Sequence, residues 1–264
     1  MEDDLYGVLG PFSTRKPEKQ ADLANHPLTR AYLEAGMRLL EKEFSGPASA
    51  EQSELGSFQW MSRGRVIEEV RRGPSNLPCQ GGKGSFCDRW PFIANYRGDL
   101  VRYALRPYRW RDRIDLAREA AVTIGKDKLA TVVHRITYHV LEFMTGDTAM
   151  RFLFFVAPFV GRDPVITDAL KSVYGKVTGV WYDVYKDFFD ARDMRLRHPL
   201  KMHDFTVLLT AVAEGLALRG IADQETLEQR RSLLGTAVLA FLIACVDPGD
   251  GTTLEEVANN MAGP

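Results

Sequence analysis

The stretch PVITDALKSVYGKVTGVWYDVYKDFFD, residues 164–190, places Ile166, Leu170, Val173, Val177, Trp181, Val184 and Phe188 at intervals of three and four. That spacing puts seven apolar side chains on one stripe of an α-helix, and no alternation of period two competes with it. At 1.5 Å per residue such a helix is about 40 Å long, enough to run across a whole domain. Gly175 and Gly179 stand one turn apart on another face. Asp163, directly before Pro164, offers a side-chain oxygen to the orphan N–H groups of the first turn, where proline costs no hydrogen bond.

Toward the C-terminus the helical period returns over about 200–219 and 223–246. His198-Pro199 and Asp223 act as start signals, and Thr252 with Glu255 has capping-box spacing for a short last helix. Toward the N-terminus the spacing predicts helices over about 147–157 (capped by Asp147), 127–145, 111–124 and 96–105. Two short helices are predicted at about 83–90 and 63–72, separated by the breaker-rich turn 73–82. A helix from Pro27 to near Phe44 carries Leu28, Ala31, Tyr32, Ala35, Leu39 and Leu40 on one side. Residues 1–26 hold Gly7, Gly10, Pro11 and Pro17 without a sustained period and read as an irregular arm. With no strand-period segment, the expected fold class is all-α.

Composition agrees with a chain that buries a core. Of 264 residues, 45% are hydrophobic and 26% charged, which excludes disordered and collagen-like classes. The longest uncharged apolar run, Leu233 to Val246, is shorter than the roughly 20 residues a membrane-crossing helix needs. Met1-Glu2-Asp3-Asp4 lacks the basic start of a signal peptide. The expectation is a cytoplasmic protein without a membrane partner. Cys79, Cys87 and Cys245 are odd in number and lack C-x-x-C spacing, so reduced thiols are expected rather than a disulfide framework or a zinc site.

The formal net charge of −1 conceals an uneven distribution. Between Trp60 and Arg113 there are 12 Lys and Arg against 5 acids, a net +7, while the remainder carries 22 against 30, a net −8. A basic segment on an acidic body is the pattern of a protein that turns one part toward an anionic partner, although a solvated arginine-rich surface has the same arithmetic.

No catalytic or cofactor constellation emerges, and the chain is read as a non-enzyme without cofactor or metal. His134 and His139, like His198 and His203, are five apart, which rotates them by about 140° on a helix and prevents convergence. No H-E-x-x-H, G-x-S-x-G or Walker-type loop occurs, and Gly81-Gly82-Lys83-Gly84-Ser85 is too short for a phosphate loop. More informative is Lys83-Gly-Ser-Phe-Cys-Asp-Arg-Trp-Pro91, in which Phe86 and Trp90 anchor one face while Lys83, Ser85 and Arg89 offer donors outward. That is what a recognition helix in a DNA major groove requires.

Gly84-Ser85-Phe86-Cys87-Asp88-Arg89-Trp90 followed by Arg97-Gly98-Asp99-Leu100-Val101 resembles the recognition helix and next helix of TetR-family transcriptional regulators. Leu28 to Phe44 resembles the family's first helix, and Leu208 to Arg219 with Leu233 to Val246 resembles its paired dimerisation helices. The resemblance implies a helix-turn-helix head over 27–110 and a larger antiparallel helical bundle over 111–264. It implies double-stranded DNA as partner, contacted by Arg65, Lys83, Ser85, Arg89 and Arg97. It also implies a repressor released by a small apolar or aromatic effector. His134, Tyr138, His139, Phe155, Trp181, Tyr182 and Tyr185 are the candidate effector-binding residues. Several departures are visible: Cys87 replaces the family's usual Tyr, the turn 73–82 and the loop 45–62 are long, and extra residues separate Pro91 from Arg97. A helical dimer that binds a small molecule or a protein and has lost operator recognition is the alternative.

The last two long helices are apolar on more than one face. Phe205, Leu208, Val212 and Leu216 in the first, with Leu234, Val238, Phe241 and Leu242 in the second, are the expected contacts of a homodimer.

Overall fold

The computed structural model describes residues 4–10, 17–45, 61–73, 81–106, 128–223, 225 and 227–261. The expected helix at 111–124 lies outside them. The described chain is all-α apart from one pair of two-residue antiparallel strands. Its helices are α1 (Pro17–Asn25), α2 (Pro27–Ser45), α3 (Arg63–Arg71), α4 (Lys83–Cys87), α5 (Ile93–Ala104), α6 (Leu129–Gly146), α7 (Thr148–Val156), α8 (Pro164–Asp190), α9 (Met202–Ala222), α10 (Leu227–Cys245) and α11 (Leu254–Met261). Strands β1 (Arg195–Leu196) and β2 (Val246–Asp247) pair Leu196 with Val246.

The chain forms two compact units, residues 1–109 with 151–171, and residues 110–150 with 172–264. The division expected at residue 110 therefore misses the return of 151–171 to the first unit. Phe44 shows why these residues return. Its ring lies 6.4 Å from Phe152 and 5.7 Å from Phe155, and its carbonyl accepts a hydrogen bond from Arg151.

Local chemistry accounts for most helix starts. Asp147 Oδ1 accepts from the N–H groups of Ala149 and Met150, and Asp163 Oδ1 from those of Val165 and Ile166. The box at the last helix is displaced by one residue from the predicted pair: Glu256 N donates to Thr253 Oγ1, and Thr253 N donates to Glu256 Oε2. The helix after His198-Pro199 starts at Met202 with Lys201 as N-cap, so Pro199 lies in the preceding turn and is not a first-turn residue. The arm is also more ordered than its composition suggested. Pro17 opens α1, Leu5 is fully buried, and Leu5 N donates to Asn25 Oδ1.

In the first unit α2 is the central helix, with Leu28, Tyr32, Leu33 and Leu40 buried against α3 and α5. Gly36 permits the close approach of α5, because a Cβ there would stand 2.3 Å from the Tyr96 hydroxyl oxygen. In the second unit α6 packs along both α9 and α10 around Val132, Val133, Phe188, Phe205, Leu209 and Leu242. Gly235 sets that crossing, since its Cβ would lie 2.2 Å from His134 Nδ1. The stripe of α8 is seated as its spacing predicted: Ile166, Leu170, Val173, Val184 and Phe188 are buried, and Val177 and Trp181 are half-buried.

Within the second unit, Glu214 of α9 is hydrogen-bonded to Tyr174 of α8. Burial pushes the Glu214 carboxyl above its ordinary range, partly offset by that bond, and the Tyr174 phenol is pushed up to about 12. A carboxyl whose pKa is raised in the folded state keeps its proton to higher pH there than in the unfolded chain. The contribution of Glu214 is therefore fully present below the ordinary Glu value of 4.5 and is lost as pH rises above it. Glu214→Gln is expected to flatten this decline. Urea denaturation at pH 4.5 and pH 7 reads it, and identical pH dependence in the two proteins would refute the assignment.

Candidate nucleic-acid interface

Four aromatic rings hold the first unit's short helices in place. Phe86 and Trp90, the predicted anchors, are buried, and the Phe86 ring centroid lies 5.3 Å from Tyr32, 5.3 Å from Trp90 and 5.2 Å from Tyr96. Edge-to-face geometries, as between Tyr32 and Phe86 at 87°, let a ring edge meet a ring face, worth about 0.5–1.5 kcal/mol per pair beyond area burial. Tyr32 also fixes the start of α4. Gly82 N donates to its hydroxyl oxygen, and that hydroxyl sits 2.9 Å from Ser85 Oγ.

Two expected DNA contacts are turned inward. Arg89 is only 5% exposed; its Nε donates to Thr29 Oγ1 and its Nη1 to the Ser85 carbonyl. The helix ends at Cys87, and the following tight turn swings Arg89 under α2. Ser85 is half-buried, and its hydroxyl serves Gly82 and Tyr32. The expectation of outward donors at these two positions is revised. Arg65 and Lys83 are exposed as expected, and Arg97 is half-buried with Nη2 donating to the Met61 carbonyl at 3.0 Å.

Arg63 completes the arrangement and was not among the expected contacts. Its Nη2 donates to the Pro91 carbonyl at 2.9 Å and its guanidinium lies 5.5 Å from the Phe86 centroid. Arg63 and Arg97 thus brace the start of α3 against the α4–α5 connection and α5. The Nε atoms of both are buried without a hydrogen-bond partner among the described residues. Burial depresses the Arg97 pKa, because desolvation disfavours the charged form.

Three carboxylates of the same segment, Glu68, Glu69 and Asp99, have other partners. Glu68 pairs with Arg72, and Glu69 pairs with Arg38 at 3.1 Å and Lys42 at 2.7 Å. Burial pushes the Glu69 carboxyl up, but the bonds from Lys42 and Arg38 outweigh it and hold the group below the usual range. Asp99 accepts from Gly10 N at 2.7 Å, Trp90 Nε1 at 2.9 Å and Arg102 Nη1 at 2.8 Å. Its burial nevertheless raises its pKa against the pull of those donors. These pairings are invisible in a charge count.

The expected effector residues are divided between the two units. Phe155 belongs to the first unit and the other six to the second. His134 packs on Gly235 between α6 and α10, while Tyr138 and His139 are exposed, the latter 3.5 Å from Glu142 Oε2. Trp181 and Tyr185 stack at 5.7 Å, and Tyr185 continues into the core on Phe205. Tyr182 is half-buried. Among the described residues no cluster of His, Cys, Asp or Glu is arranged to hold a metal ion.

The dimer expectation divides. Phe205, Leu234 and Leu242 are buried in their own core, whereas Leu208 is exposed and Val212, Leu216, Val238 and Phe241 are half-buried. The surface of α9 opposite its core is instead lined by Leu208, Ala211, Gly215, Leu218 and Ala222, and that of α10 by Leu233, Thr236, Ala240 and Ile243. Both rows advance by alternating steps of three and four, the spacing of coiled-coil seams. Leu218 is 53% and Ile243 79% exposed. Helix α9 is also long and apolar enough to cross a membrane by length and composition, although Phe205, Leu209 and Ala217 are buried in the core.

Compared with family models, curated proteins and solved structures, the chain matches none.

Proposed function

We propose that the chain is a TetR-like DNA-binding transcriptional regulator that acts in the cytoplasm as a homodimer, a repressor released by a small apolar or aromatic effector. The observation that carries this reading is the cationic edge of the first unit. Arg63 and Arg97 are braced with no carboxylate partner among the described residues, and Arg65 and Lys83 lie exposed on α3 and α4. Fixed, partly buried guanidinium groups suit phosphate oxygens, because part of the desolvation cost is already met in the free protein. Helix order supports the same reading: α2, α3, α4 and α5 follow one another as the resemblance implies, with α4 seated on α2 and α5 through Phe86 and Trp90. An effector would act by binding more tightly to the dimer geometry that misfits two successive major grooves.

Salt dependence tests the proposal. Binding of a fluorescent mixed-sequence duplex of roughly 30 base pairs is expected to fall steeply between about 50 and 200 mM salt. In Arg97→Ala the log–log slope is expected to shrink by about one phosphate contact, roughly 0.9. Absence of binding at low salt, with an intact dimer, would overturn it. The inward placement of Arg89 and Ser85 favours a second reading, a dimer that has lost operator recognition and binds a small molecule or protein, and this predicts that null result.

A further inference from the structure

Phe92 stands out because neither folding requirement explains it. It occupies the N-cap of α5, where Ser, Thr, Asp or Asn would accept from the first-turn N–H groups, and its side chain makes no capping bond. Nor does it serve the core, being 72% exposed beside the buried Trp90 and Tyr96. Single exposed apolar residues are common on protein surfaces, so exposure alone carries nothing. Its setting is what distinguishes it. Arg63 donates to the carbonyl of Pro91, the residue before it, and Arg97, five residues later on α5, donates to Met61 two residues from Arg63. The ring thus lies in the short connection braced by two cations that lack carboxylate partners among the described residues. It also lies within the extra residues between Pro91 and Arg97, outside the segment that resembles a recognition helix.

Resting on the DNA-binding reading, we infer that Phe92 is an additional duplex-DNA contact, packing its ring on the sugar and base edges beside the phosphates held by Arg63 and Arg97. An exposed aromatic ring in a connection braced by two arginines matches that surface, since each nucleotide presents an anionic phosphate next to an apolar sugar face and base edge. Such a contact releases no counterion. Its contribution is therefore independent of salt, unlike that of the arginines.

The same fluorescent duplex separates the two contributions. Phe92→Ala is expected to weaken binding about tenfold at every salt concentration with the slope unchanged, and Phe92→Trp to restore it, as for loss and return of one aromatic contact. Because the side chain is exposed, the variant is expected to keep wild-type stability in urea. Wild-type affinity in Phe92→Ala, while the wild type binds with its salt-dependent slope, would overturn this contact and leave the DNA-binding reading standing. Absence of duplex binding by the wild type itself would overturn both. A loss of self-association in Phe92→Ala in place of a loss of DNA affinity would assign the ring to a protein interface and also refute the proposal.

Discussion

Leu218→Glu combined with Ile243→Glu is expected to convert the proposed homodimer into a folded monomer. Each side chain lies in an exposed row with three-and-four spacing, one on α9 and one on α10, and neither contributes to the core around Phe205 and Leu242. Two such rows, on helices that share α6 as their inner support, offer the surface from which two copies build a four-helix contact. Ala211, Gly215 and Ala240 within the rows keep the helix surfaces low, which allows close approach. A glutamate within each row would have to lose its hydration on association. That cost of several kcal/mol per ion is enough to weaken the dimer by at least about a hundredfold, or about 2.7 kcal/mol. Sedimentation at micromolar concentration reads the mass, and circular dichroism verifies that the helices persist. A monomeric wild type would remove the dimer from the proposed function, and a dimeric double variant would place the contact elsewhere.

Phe86→Ala is expected to lower the stability of the first unit by about 3–5 kcal/mol, the range for deleting a fully buried aromatic ring. The ring contacts Tyr32 of α2, Trp90 after α4, Tyr96 of α5 and the Arg63 guanidinium of α3, so its loss leaves a cavity where four segments meet. These partners are fixed by further bonds, Tyr96 to the Tyr32 carbonyl and Trp90 to Asp99, so the site can collapse only in part. Urea denaturation should show a lower midpoint with an unchanged slope. Phe86→Leu, which retains most of the apolar volume, should lose far less. If alanine costs under about 1 kcal/mol, α4 is not seated on α2 and α5, and the helix carrying Lys83 has no fixed position from which to meet DNA.

Much of the helical order was legible because its causes are local. The stripe from Ile166 to Phe188 and the caps at Asp147 and Asp163 depend on residues within a turn or two of one another. Phe86 and Trp90 were recognisable as anchors for the same reason, being large, apolar and one helical turn apart. The direction of Ser85 and Arg89 was not legible, because it depends on where the helix stops. It ends at Cys87, and the next turn carries Arg89 beneath α2 to Thr29. The arm was misjudged because Leu5 and Gly10 are held by partners 20 and 89 residues away, Asn25 and Asp99.

By itself, the sequence determined that the chain is helical, roughly where most of the described helices run, and that its basic charge is concentrated around Trp60 to Arg113. Hydrophobic period, capping and composition are properties of neighbouring residues and need no distant partner. Folding, not residue order, sets which of the described arginines lack a carboxylate among the described residues and which faces of α9 and α10 stay uncovered. The reason is physical: the state of a charge depends on the counter-charge that folding brings to it, and a helix apolar all round has no inner face until others pack against it. Arg63 and Arg97 differ from Arg38 and Arg102 in their partners, while Ile243 differs from Leu242 in which side α6 occupies.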